Sequence, residues 1–359
     1  MRQPDLRRRW ITTIIAGSAL LLSGLAAAPG STAVPSRDIN QVRSQVRDLQ
    51  AKAEAATERY NKARADLADV QATLDGLHQR ISRERAQLQE ILSTVDDLAR
   101  SAYTNGGMDA SLQVLLADNP SEFLAQASAL DQVAHGQTSA LRRTQTARLR
   151  LAASEAEVKD KEAIAQKYRD DMASAKDEAD QRLNEAEGVL AGLEAAERAR
   201  LAAIDEAERQ AGIAAGNAAA ADFPQSGASS AGGGFAGGGR ASAAVAYALS
   251  QVGDRYVAAA AGPDAFDCSG LMLAAWQQAG VSLPHYSYAQ YSSTRRIPLS
   301  EAQPGDLVFY FGGGVHHVGM YIGGGRMVHA ANPGDGVIVS DVLGPWYENY
   351  FSGVGRVVG

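Results

Sequence analysis

The 359-residue sequence contains one cysteine, Cys268. A lone thiol has no partner within its chain, so a disulfide scaffold is excluded, and the thiol is either a buried structural group or a reactive one. Aromatic residues are scarce over much of the chain: between Asp38 and Gly212 only Tyr60, Tyr103, Phe123 and Tyr168 occur, too few to organise a globular core. Lysine is absent after Lys176, and a net charge of -7 offers no basic footprint for nucleic acid. Beyond Ala33 no apolar run approaches the ~20 residues that cross a bilayer.

What is present begins with Arg2, Arg7, Arg8 and Arg9 ahead of a mostly apolar run, Trp10 to Leu25. Small residues follow at Ala26 to Ala28 and Ser31 to Ala33. This is the pattern of a secretory signal peptide over residues 1–33 and implies a secreted, extracytoplasmic protein of the cell envelope; an uncleaved membrane anchor is the alternative. No cysteine directly follows the segment, so a cysteine-linked lipid anchor is not expected.

From Val42 the apolar and small residues advance in steps of four and three: Val46, Leu49, Ala53, Ala56, Tyr60, Ala63, Leu67, Val70, Leu74, Leu77 and Ile81, resuming at Leu88, Ile91, Val95 and Leu98. A 3.5-residue repeat of this length specifies a coiled-coil seam. A second stretch runs through Ala179, Leu183, Ala186, Leu190 and Leu193 toward Ile204. Two such helices in one chain predict an antiparallel hairpin over residues 38–211. Asn105, Gly106 and Gly107 end the first helix, and Asn119, Pro120 and Glu122 restart one with a cap, a first-turn proline and a reciprocal carboxylate. The small helical lobe so defined, about residues 103–135, carries Leu112, Leu115, Leu116, Phe123 and Leu124, which either pack on one another or dock a partner. Residues 212–241, rich in Gly, Ala and Ser, predict a flexible tether.

The last domain, residues 242–359, holds Cys268. Asp267 can cap a helix that runs from Cys268 toward Gly280, and the first turn of a helix favours a thiolate. A thiolate nucleophile needs a base, usually histidine, and His285, His316, His317 and His329 are available here. Val315 to Ala330 reads as a hairpin in which His317 shares a face with Gly319 and Tyr321, whereas His316 shares the apolar face and is structural. A three-residue loop at Gly323 to Gly325 places His317 and His329 on one face; a two-residue loop separates them. On the first geometry His317 takes the proton of Cys268 and His329 fixes its tautomer. A metal site built from His316, His317 and His329 would lack a matching carboxylate cluster, so none is expected.

The blocks Phe266-Asp-Cys-Ser-Gly270, Pro304-Gly-Asp-Leu-Val-Phe309, His317-Val-Gly-Met-Tyr-Ile-Gly323 and Arg326-Met-Val-His-Ala330 resemble the NlpC/P60 superfamily of cell-wall cysteine peptidases. The resemblance implies a papain-like α+β catalytic domain with a small antiparallel sheet, preceded here by the all-α coiled-coil hairpin. It implies hydrolysis of peptidoglycan stem peptides, typically between D-glutamate and diaminopimelate, with neither cofactor nor metal. Cys268 is then the nucleophile, His317 the base, His329 the third polar group and Tyr256 an oxyanion donor, while Asp267 and Ser269 help hold the substrate. His285 either lines the groove or belongs to a surface loop. The layout of signal, coiled coil, tether and peptidase resembles the actinobacterial Rip-type endopeptidases, which implies a role in cell division and docking of the coiled-coil tip on the FtsE-FtsX divisome transporter. An N-acetylmuramoyl-L-alanine amidase of the same fold and a non-catalytic wall adaptor are the alternatives. One departure stands out: where the family commonly has Tyr-x-Trp-Gly, this chain reads Tyr256-Val-Ala-Ala259, which puts the groove wall rather than the chemistry in question.

Overall fold

The computed structural model describes residues 38–104, 120–223, 238–344 and 347–357. The expected signal, residues 105–119 of the tip and residues 224–237 of the expected tether lie outside them. Helix α1 spans Ile39–Thr104 and α2 spans Pro120–Ala191, so α1 alone is about 100 Å long. Their seam is the one the heptads specify. Val42 clusters with Leu193, in the turn after α2, and Leu77 and Ile81 cluster with Val158 and Leu151. Moving 35 residues up α1 thus moves 35 residues back toward the start of α2, which is an antiparallel pair. Flanking ion pairs, Arg59 to Glu178 at 2.8 Å and Arg85 to Glu155 at 2.8 Å, are exposed and add little.

The chain reverses at residues 191–194. The Arg198 guanidinium donates to the carbonyls of Leu190, Ala191 and Leu193 at 2.8–3.1 Å, satisfying the open end of α2. Helix α3, Ala195–Asp222, then runs back beside α1. The expected hairpin limit at residue 211 is therefore not a structural boundary, and the first eleven residues of the expected tether, 212–222, are helical. Their small side chains explain this. A Cβ on Gly212 would stand 3.1 Å from Ile338 Cβ, one on Gly216 would stand 2.7 Å from Val252 Cγ1, and Ala219 enters the core of the last domain. Gly212, Gly216 and Ala219 thus form a stripe that lets α3 lie against that domain.

In the last domain α4, Gly238–Ser250, and α5, Cys268–Gln278, pack on a sheet. Strands β1, Arg255–Tyr256, and β2, Ala265–Phe266, form a short parallel ladder. The main sheet is antiparallel with order β3-β8-β4-β5-β6-β7. Its strands are β3 Arg295–Ile297, β4 Leu307–Tyr310, β5 His317–Gly323, β6 Arg326–Ala330, β7 Val337–Asp341 and β8 Phe351–Arg356. Helix α6, Ser287–Ser293, precedes β3. Strand β4 is buried on both faces: Leu307 and Phe309 meet the helices, while Val308 and Tyr310 meet Met327 and Val342. This is the expected fold class, an α+β domain with a small antiparallel sheet joined to an all-α hairpin. Among the described residues no helix is long and apolar enough to cross a membrane.

Gly216→Val should push α3 away from Val252 and lower stability by about 1–3 kcal/mol, read from the urea midpoint of the full chain. Gly188→Ala, on exposed α2 with nothing within 4 Å of the added carbon, should raise stability by about 0.5–1 kcal/mol.

Candidate active site

The β1–β2 ladder pairs Tyr256 with Phe266 and so delivers Tyr256 to the start of α5. Between the strands the loop folds over that start, where the Asp267 amide donates to the Ala260 carbonyl at 2.8 Å. Gly270 is required there, because a Cβ would stand 2.1 Å from that carbonyl oxygen. Asp267 caps the helix, its carboxylate accepting from the Gly270 amide at 2.6 Å. Cys268 is therefore held in the first turn, as the sequence implies, and it is fully buried.

His317 and His329 meet, although by a different route from the expected one. Gly323 pairs with Arg326, so the loop has two residues, Gly324 and Gly325, both with positive φ. By alternation alone that would place the histidines on opposite faces. A bulge at Ile322, between the Tyr321–Met327 and Gly323–Arg326 pairs, supplies the extra residue that restores a common face. His317 Nε2 lies 2.8 Å from His329 Nδ1, and His329 Nε2 lies 3.0 Å from Ser340 Oγ. Gly319 makes room for this line, since a Cβ there would come within 3.2 Å of His329 Cβ. Tyr347 stacks on His317, with centroids 5.7 Å apart, and meets His329 edge-on at 5.2 Å. Burial and the neighbouring His317 hold His329 well below the usual imidazole range, so it is neutral and passes orientation rather than charge.

The thiol does not match the expectation of a depressed pKa. Burial, followed by the carboxylates of Glu54, Glu58 and Asp267, pushes the Cys268 thiol well above its ordinary value. Glu54 and Glu58 come from α1. Glu54 Oε1 lies 2.6 Å from His317 Nδ1, and the Glu54 oxygen, the Cys268 sulfur and a His317 ring nitrogen all lie within 4.8 Å of one another. Glu58 accepts from Ser269 Oγ at 2.7 Å, from Ser287 Oγ at 2.7 Å and from the Ser287 amide, with Cys268 Sγ 3.8 Å away. Burial and then Asp267 push the Glu58 carboxyl up to about 8, outweighing those hydrogen bonds.

One turn further along α1, Asn61 Nδ2 donates to Asp267 at 2.9 Å, and Arg64 donates to the Ala259 carbonyl at 3.3 Å and to His285 Nδ1. His285 in turn meets Asp267 at 2.9 Å through Nε2. Arginine only donates, so Nδ1 accepts and Nε2 carries the proton given to Asp267. The wall where the family pattern departs is thus a contact of α1. His316 stacks on Phe311 with centroids 4.0 Å apart and offers its carbonyl 3.8 Å from Cys268 Sγ.

Cys268, His317, His329, Tyr256, Asp267, Ser269 and His285 come together. Burial first, then Glu54 and Cys268, raises the Tyr256 hydroxyl well above its usual range, so it remains a donor. Sequence reasoning missed Ser287, Ser340, Tyr347 and the α1 residues. Gln290, also missed, donates to the Ser269 and Pro284 carbonyls at 2.8 Å and ties α6 to α5. A signal for the α1 residues existed: Glu54, Glu58 and Asn61 repeat at four and three beside Ala53, Ala55 and Ala56, a polar stripe flanked by residues small enough for close approach.

Residues 253–356 match the family model described as the NlpC/P60 family. The probable endopeptidase p60 of Listeria monocytogenes is 45% identical over 114 residues, which is 32% of this chain and 23% of that protein. A probable endopeptidase of Mycobacterium tuberculosis is 44% identical over 109 residues, 30% of this chain and 28% of its own. The matched part therefore spans less than a third of these relatives. Among solved structures, the NlpC/P60 domain of the peptidoglycan hydrolase SagA is 32% identical, with 32% of this chain and 97% of that one covered and a TM-score of 0.30.

Docking of α1 should depend on pH through Glu58. Its pKa rises from an ordinary 4.5 to about 8 on docking. Proton binding therefore favours the docked form fully below about 4.5, and that contribution is lost as pH rises through about 8. Alkylation of Cys268 by iodoacetamide should consequently accelerate between pH 6 and about 9 more steeply in the natural chain than in Glu58→Gln, which keeps a neutral group there at every pH.

Proposed function

We propose that the chain, whose residues 253–356 match the NlpC/P60 family, is a secreted peptidoglycan endopeptidase held in check by its own coiled coil. The observation that carries the reading is the Cys268 thiol at the head of α5 beside the His317–His329–Ser340 line. In the reaction His317 takes the thiol proton and the thiolate attacks the stem-peptide carbonyl. The Cys268 amide and the Tyr256 hydroxyl stabilise the oxyanion. Return of the proton from His317 to the departing amine leaves an acyl-enzyme, which water hydrolyses. His329 keeps Nε2 of His317 engaged, so that Nδ1 is the nitrogen available to the thiol.

The carboxylate seat supports the D-glutamyl to diaminopimelate bond. Two hydroxyls and an amide, from Ser269 and Ser287, hold the carboxyl of Glu58 beside the sulfur. A substrate whose glutamyl residue bears a free carboxylate at the other end of its carbon chain from the scissile amide would use the same seat once α1 leaves. In the docked arrangement Glu54 engages the His317 nitrogen that would serve the thiol, so the resting chain would be inactive, and a partner acting at the coiled-coil tip would release it. From Glu54 to Thr104 the helix runs about 75 Å, which is the reach of such a lever. Docking of that tip on the FtsE-FtsX divisome transporter would place the activity in cell division.

Mass spectrometry of defined diaminopimelate-containing muropeptides, incubated with the full chain, its Glu54→Ala/Glu58→Ala variant and that variant carrying Cys268→Ala, tests the proposal. Cleavage after D-glutamate should be at least about tenfold faster in the double variant, equivalent to ~1.4 kcal/mol of lost docking, and absent without the thiol. Tyr256→Phe in the double variant should lower kcat by about 10²–10³. Release of L-alanine from N-acetylmuramate would make the chain an amidase instead. No cleavage by a folded double variant would make it an adaptor.

A further inference from the structure

The docked state assembles a donor set that peptide hydrolysis does not require. Sulfur from Cys268, a ring nitrogen from His317 and a carboxylate oxygen from Glu54 lie within 4.8 Å of one another, on three buried side chains. We propose that these three atoms form a zinc site of the docked state, in which Zn2+ pins α1 across the groove and blocks the nucleophile.

The donor types suit that ion, which takes thiolate, imidazole and carboxylate together. Zinc bonds of ~2.0–2.3 Å set tetrahedral ligand atoms ~3.3–3.6 Å apart, and the sulfur is already within 4.8 Å of the other two. Only the Glu54–His317 contact of 2.6 Å has to open, by roughly an ångström or less. His317 is also braced as a metal-binding imidazole usually is, since its second nitrogen is held by His329 and that ring by Ser340.

Charge closes as well. Zn2+ displaces the thiol proton and the proton shared by Glu54 and His317, leaving thiolate, carboxylate and neutral imidazole around a divalent ion, with no net charge in a buried site. Glu58 stays outside the set because Ser269 and Ser287 occupy its oxygens. The fourth position falls to water. His316, considered for a metal from sequence, faces Phe311 instead.

The inference rests on the docked arrangement and not on the proposed reaction, so its readout is absorbance. The full chain, freed of metal with a chelator, is titrated with Co2+ as probe and then with Zn2+. One Co2+ per chain with a thiolate-to-cobalt band in the near ultraviolet is expected, abolished by Cys268→Ser and bleached by Zn2+. Glu54→Ala and Glu54→Gln, with unchanged helix content by circular dichroism, should bind Co2+ at least about tenfold more weakly. Zn2+ should raise the melting temperature of the natural chain and leave that of Glu54→Ala unmoved. Absence of the band, or a band of equal affinity in both Glu54 variants, overturns the proposal.

Discussion

A carboxylate delivered by a long helix holds an imidazole beside a thiol, and the rest of the docked arrangement depends on that contact. Glu54 engages His317 Nδ1 at 2.6 Å and lies within 4.8 Å of the Cys268 sulfur. Burial first, and then the carboxyl groups of Glu54, Glu58 and Asp267, raises the thiol pKa. Geometry and electrostatics therefore act in one direction: the imidazole is engaged and the thiol is kept protonated. A buried carboxylate is costly unless hydrogen-bonded, and the last domain meets that requirement with groups it already has, the two serines and His317.

The approach is possible because α1 and α3 are both narrow where they meet the domain. Ala55 lies next to Glu54 in the sequence, and Gly212 and Gly216 bring α3 against Ile338 and Val252. Helix α3 links the end of the hairpin to the sheet, so the hairpin and the last domain are joined by packing and not only by chain. Polar contacts from α1 then add specificity: Asn61 and Arg64 reach Asp267, His285 and Ala259. The Arg64 contact falls on the groove wall where alanines replace the bulkier family pattern.

The docked surface is mostly polar, and that composition bears on release. Apolar burial would bind α1 in a manner insensitive to pH or competing ligands, whereas carboxylates and serines exchange partners readily with water or with an acidic substrate.

The sequence by itself determined the parts. Heptad spacing specified the coiled coil because the seam is local and repetitive, and the Asp267-Cys268-Ser269 start of α5 was legible because capping is a matter of neighbouring residues. The histidine pair was legible as residues and not as geometry: the two-residue loop needed a bulge at Ile322, which depends on strand pairing that no local pattern reveals. The glycine-rich tether was overextended, since Gly212 and Gly216 read as flexible until a domain surface is there to fill the space they leave. What only the tertiary structure decided is that Glu54 and Glu58, more than 200 residues from Cys268, enter its site. On an isolated helix they are two more acidic residues of a solvated face; only when α3 folds back and fixes the hairpin against the sheet do they become partners of a thiol and an imidazole.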